Sequence, residues 1–270
     1  MTTITSGGSS HAFSDAITML RRNLLHIVRY PGLSVFTILG PVVILLLTVF
    51  VFGGTLGAGL PGVDAAGGRD AYLAYVMPGI LLITIAGTVS GVSITVAMDM
   101  TEGITARFRT MAISRGAVLA GHVLGNTIQA IIAVALVLGV GLLVGFRPTA
   151  TPAEWLEVAG VIVVISFALS WLGVAMGMQS KTVETASNLP LVLTILPLLG
   201  SGFVPTASMP GWLQWFAQYQ PFTPFIETVR GLLLGTPLGL NPLFALGWAI
   251  VIAVGGYGWA MAIYERRSVR

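Results

Sequence analysis

Residues Leu33–Phe52 read LSVFTILGPVVILLLTVFVF, twenty positions without one charged side chain. The hydrocarbon core of a bilayer, about 30 Å thick, is spanned by a helix of about 20 residues. This stretch therefore reads as a transmembrane helix, and the pattern recurs along the chain. Further apolar stretches lie near Tyr72–Met98, Val118–Gly145, Leu156–Met178, Asn188–Phe203 and Leu243–Tyr264. The fifth of the six is interrupted by Pro190 and Pro197, and the sequence after it is still apolar. The expected fold is an all-α membrane protein with six transmembrane helices.

Composition agrees. Of 270 residues, 55% are hydrophobic and 9% charged, against roughly 25% charged in a soluble domain. Thirteen Lys+Arg and ten Asp+Glu leave a net charge of +3, too little to suggest a nucleic-acid partner. There is no Cys, which excludes thiol nucleophiles, disulfides and Cys-based metal sites. His11, His26 and His122 are scattered and no H-E-x-x-H occurs. Lys181 is the only lysine, and Met178-Gln179-Ser180-Lys181-Thr182 lacks the glycine that precedes a phosphate-loop lysine. No ATP site is expected in this chain.

Ahead of the first span, residues 1–12 read as a disordered tail without the pattern of a cleaved signal peptide. Phe13, Ile17, Leu20, Leu24 and Ile27 then mark one helical face, with Arg21, Arg22 and Arg29 largely off it and Pro31-Gly32 closing the segment. Residues 13–30 are read as an amphipathic helix in the headgroup region, or packed partly on protein. The six-span unit is expected over 31–270.

The loops set the orientation. With the N-terminus inside, Arg21, Arg22, Arg29, Arg107, Arg109, Arg115, Lys181, Arg266, Arg267 and Arg270 fall on the inner side. Only Arg69, Arg147 and Arg230 fall outside. The positive-inside rule then places both termini in the cytoplasm.

Residues 203–240 are apolar but broken by Pro205, Pro210, Pro221, Pro224 and Pro237, too many for one straight helix. Two readings stand. One is an interfacial aromatic belt. The other is a re-entrant outer segment of short helices closing an exit path, with Trp212, Trp215, Phe222, Glu227 and Arg230 as its outer gate. Glu227 and Arg230 are three apart, the spacing of a helical salt bridge.

Intramembrane catalysis has little to work with. Ser201 sits between Gly200 and Gly202, but the sixth span offers no histidine as a base. Span three carries His122, Asn126 and Gln129 on one face of its cytoplasmic half, either bonded to neighbouring helices or lining a substrate path. Three stripes of small residues occur at spacings 4, 3, 4: Thr84, Thr88, Gly91, Thr95; Ser166, Ser170, Gly173, Gly177; and Ala249, Ala253, Gly256, Ala260. Small residues allow close helix packing in lipid.

The inner loop at 99–116 contains Asp99, Glu102, Gly103, Arg107, Arg109, Ile113, Ser114 and Arg115. It reads as a carboxylate–glycine break, a short basic amphipathic helix, and Ser-Arg opening the next span. This segment resembles the coupling loop of ABC type-2 exporter permeases, which runs from Glu and Gly through Arg-x-Arg to a Pro-[Val/Ile]-Ser-Arg ending. Ala112 stands where many members have Pro. Downstream, Pro205, Met209-Pro210-Gly211-Trp212-Leu213, Gln220-Pro221-Phe222-Thr223 and Arg230-Gly231 are similar to the outer motif of the daunorubicin-resistance branch. The resemblance implies a permease that couples through Glu102, Gly103, Arg107, Arg109, Ile113, Ser114 and Arg115 to a separate ABC ATP-binding subunit, which would hold ATP and Mg. It also implies a second permease copy or a related permease beside this one in a bacterial plasma membrane. The cargo implied is an amphipathic drug or natural product, with a lipid or lipid-linked saccharide as the alternative. A non-transporting scaffold or immunity protein is the alternative of another class.

Overall fold

The computed structural model describes residues 31–59, 68–101 and 115–266. Among the described residues the chain is helix and connecting turn, with no strand. The expected amphipathic helix over 13–30 lies outside them. Helix α1, Pro31–Leu47, continues through a π-helical turn, Thr48–Phe52, into α2, Gly53–Ala58. The other long helices are α3 (Gly68–Thr101), α4 (Arg115–Val144), α5 (Pro152–Gln179) and α10 (Asn241–Arg266). Between the last two lie α6 (Val183–Asn188), α7 (Leu191–Ile195), α8 (Gly211–Tyr219) and α9 (Phe222–Leu234). Among the described residues five helices are long and apolar enough to cross a membrane.

Those five correspond to the first four and the sixth of the expected stretches, and most run a few residues beyond the apolar limits. The start of α5 shows why. Thr151 and Glu154 form a reciprocal cap, the Glu154 carboxylate accepting from the Thr151 amide at 2.6 Å, and Pro152 sits in the first turn, where no amide is needed. The helix thus begins at a polar signal ahead of its apolar run.

The fifth expected stretch, Asn188–Phe203, is not one continuous helix. Pro190 caps α7, and the lack of an amide at Pro197 removes a rung of the ladder. The chain tightens into turns instead, with Leu198 N donating to Ile195 O at 3.0 Å and Leu199 N to Leu196 O at 3.1 Å.

Helices α3 and α5 form the centre, with 72% and 61% of their most apolar windows buried by protein. The corresponding shares are 28%, 33% and 22% for α1–α2, α4 and α10. Those outer helices leave apolar faces for lipid or other subunits to cover. Two of the three small-residue stripes lie at close crossings. A Cβ on Gly177 would stand 2.5 Å from the Ser93 carbonyl oxygen, and one on Gly256 2.8 Å from the Leu172 amide nitrogen. Gly91, in the stripe on α3, faces nothing within 4 Å.

Helices α5 and α10 run in the same direction. Glu157 and Gly160 line one cavity with Pro242 and Ala245, and Gly256 reaches Leu172 farther along. The chain must therefore travel back between Gln179 and Asn241. It does so in pieces: α6 packs on α3, and Gly202 meets Gly79 backbone to backbone, with a Cβ on Gly79 only 2.7 Å from the Gly202 Cα. The bundle has a Gly68 end, where α5 and α10 begin, and a Thr101 end, where α4 begins.

Candidate functional site

At the Thr101 end, Glu102, Gly103, Arg107, Arg109, Ile113 and Ser114 lie outside the described residues, and Arg115 is the first residue of α4. The root of this loop carries a buried carboxylate–imidazole contact. His122 Nε2 on α4 stands 3.2 Å from Asp99 Oδ2 in the last turn of α3. A carboxylate at this depth is costly alone, and pairing offsets part of that cost. Deeper along α4, Asn126 Nδ2 donates to Ser170 Oγ at 2.8 Å and Thr88 Oγ1 at 3.4 Å. Ser170 in turn donates to the Ser166 carbonyl at 2.6 Å. One amide thereby joins α3, α4 and α5. Gln129, one turn on, is half-buried.

At the Gly68 end, Arg230 is 6% exposed and links three segments. Its Nη2 donates to Ser201 O at 2.6 Å and Tyr75 O at 3.1 Å, and its Nη1 bonds the Glu227 carboxylate. The guanidinium also lies 4.0 Å from the centroid of the Tyr75 ring, within cation–π range. Beside it, Gln220 Nε2 donates to Leu196 O at 3.1 Å, and Gln220 Oε1 accepts from Phe222 N at 3.2 Å. Thr223 Oγ1 accepts from Ser201 N at 3.3 Å and donates to Ala217 O.

The five residues expected at an outer gate therefore occupy three environments. Phe222 is fully buried, in edge-to-face contact with Phe225. Glu227 and Arg230 belong to the polar anchor. Trp212 and Trp215 stand 77% and 68% exposed on α8.

Residues 15–234 match the ABC-2 type transporter family along most of the chain. The chain belongs to that family. It is 28% identical over 230 residues to the daunorubicin resistance ABC transporter permease protein DrrB1 of Streptomyces coeruleorubidus, covering 83% of this chain and 77% of that one. It is 26% identical over 243 residues to the probable doxorubicin resistance ABC transporter permease protein DrrC of Mycobacterium tuberculosis, covering 88% and 84%. As an ABC-2 family member with several apolar helices, it is a multi-pass membrane protein.

Within this family member, sequence reasoning gave no role to Asp99, Tyr75, Gln220 or Thr223. Asp99 had a legible signal, a carboxylate closing one span with a histidine early in the next. Gln220 stands directly before Pro221, where the helix must break and an amide such as that of Phe222 needs a side-chain acceptor. Tyr75 and Ser201 serve Arg230 through backbone carbonyls, which leave no mark in a sequence.

Proposed function

We propose that this chain is the membrane-spanning permease subunit of an ATP-driven exporter that moves an amphipathic drug, antibiotic or natural product outward across the bacterial plasma membrane. The family match over 15–234 carries this reading, supported by relatives named for daunorubicin and doxorubicin resistance. Export is the direction that resistance requires. ATP and Mg would be held by a separate ATP-binding subunit, since the chain's only lysine lacks a phosphate-loop context.

In this reading the chain crosses the membrane six times. The parallel course of α5 and α10 supports the extra crossing, with 183–203 climbing back in short pieces toward a re-entrant segment at 203–240. Both termini are cytoplasmic, as the ten-to-three arginine and lysine asymmetry favours. The partner ATPase grips the loop Glu102–Arg115, and the Asp99–His122 pair passes its displacement to α3 and α4. Two permease subunits stand side by side, and their relative movement opens the route outward.

Export of a lipid or lipid-linked saccharide is the second reading. One feature favours it: a cavity of about 410 Å³ between α5, α9 and α10, whose wall, with Val161, Val164, Leu232 and Leu246, is apolar apart from Glu157 and Thr228. The deciding experiment is ATPase activity of the purified complex against a panel of amphiphilic drugs and lipids. Stimulation by drugs is the expected result. Stimulation by lipids alone would favour the second reading, and a permease that recruits no ATPase would leave the scaffold alternative.

A further inference from the structure

We infer that the cavity beside Glu227, at the Gly68 end of the bundle, binds an organic cation with an aromatic or apolar body. This assignment deepens the export reading and rests on it only for the cation's role as cargo. The cavity measures about 340 Å³ and lies between α8, α9 and α10. Pockets that hold drug-sized molecules begin at about 300 Å³.

The wall chemistry selects the ligand. Among the described residues Glu227 is the only charged one lining it, and Tyr219, Phe244 and Trp248 supply three aromatic rings. Gln218 and Asn241 add neutral amides. A ring face carries negative electrostatic potential and attracts cations within about 6 Å, so rings and carboxylate favour the same sign of charge. Among the described residues an anion meets no cationic side chain in this wall, and a neutral ligand gains little from the acid.

Arg230 does not cancel this preference. It is 6% exposed and does not line the cavity, so it reduces the pull of the carboxylate without presenting a positive group to the ligand. A carboxylate has about four lone-pair sites, enough to serve Arg230 with one oxygen and a bound cation with the other. Tyr219 and Phe244 are 60% and 52% exposed, leaving apolar surface for the body of such a ligand to cover. An interfacial aromatic belt alone would lack the carboxylate that adds to the rings' preference for a cation.

The test uses the full-length chain in nanodiscs and two probes of matched shape and opposite charge, tetraphenylphosphonium and tetraphenylborate. Equilibrium dialysis is read against empty nanodiscs. Saturable binding of the phosphonium but not the borate is expected. Glu227→Gln, which keeps an oxygen for Arg230, should weaken phosphonium binding about tenfold or more. Trp248→Leu, which leaves the ion pair intact, should weaken it about three- to tenfold and decides the matter if the first variant does not assemble. Equal binding of both probes, or phosphonium binding unchanged in Trp248→Leu, would overturn the assignment. The measurement needs neither ATP nor transport, so a complex that binds the phosphonium yet exports nothing would defeat the export reading and leave the site standing.

Discussion

The Arg230 guanidinium lies 4.0 Å from the centre of the Tyr75 ring and donates to that same residue's carbonyl oxygen. One side chain on α9 thus holds one residue of α3 by ring and backbone together. With Ser201 and Glu227 as further partners, Arg230 fixes 196–234 to the centre of the bundle.

Replacing Arg230 with Met should therefore loosen the whole Gly68 end. The variant strands buried carbonyl oxygens and leaves Glu227 without its partner. The expected cost is on the order of 2–3 kcal/mol, below that of a fully buried pair because Glu227 is partly solvated. Thermal unfolding in detergent should show the loss, and limited proteolysis should cut near 196–240 first. Unfolding at the wild-type temperature would mean the anchor contributes nothing.

Helix crossings give a paired prediction. Gly177→Leu drives a side chain into the backbone of α3 at Ser93 and should cost about 3 kcal/mol or prevent assembly. Gly91→Leu meets open space, and leucine is the better helix former, so its unfolding temperature should hold or rise. The same substitution in two stripes of one spacing should give opposite results by thermal melting in micelles.

Topology can be read chemically because the chain has no cysteine of its own. A cysteine placed at Asp64 or Ala150 should react with an impermeant thiol reagent added to intact cells, and one at Thr182 should not. Labelling at 182 without labelling at 64 would invert the proposed orientation.

The loop prediction separates two arginines. Arg107 and Arg109 on a helix project about 200° apart, so only one can face a docked ATPase. Losing a desolvated partner contact costs about 2–5 kcal/mol, and a headgroup contact about 1 kcal/mol. Arg107→Ala and Arg109→Ala should differ sharply in efflux and in co-purification of the ATPase. If both behave as wild type, the loop is only a positively charged anchor.

Much of this architecture was legible because lipid imposes a simple demand. An apolar run of the right length has one stable form, so five spans could be placed from hydropathy alone. Pro190 and Pro197 mark the fifth stretch as interrupted, although its apolar run still reads as a sixth crossing. They carried no information on its path, which depends on where Gly202 finds Gly79. The i, i+3 spacing marked the Glu227–Arg230 pair, but Tyr75 lies 155 positions away and Ser201 29 away, and each accepts from Arg230 through a main-chain oxygen. The polar face of α4 was legible as a face. Its partners, Asp99, Thr88 and Ser170, emerge only when three helices are brought together.

The meeting of Gly79 with Gly202 has a genetic consequence. Every missense change at a glycine codon installs a β-carbon, and at position 79 that carbon would fall onto the main chain of the opposing glycine. A flexible side chain can rotate aside, but a peptide backbone has no such escape. In a deep mutational library selected for function, position 79 should be depleted of all nineteen alternatives, alanine included, while Gly91 on the same helix accepts many of them.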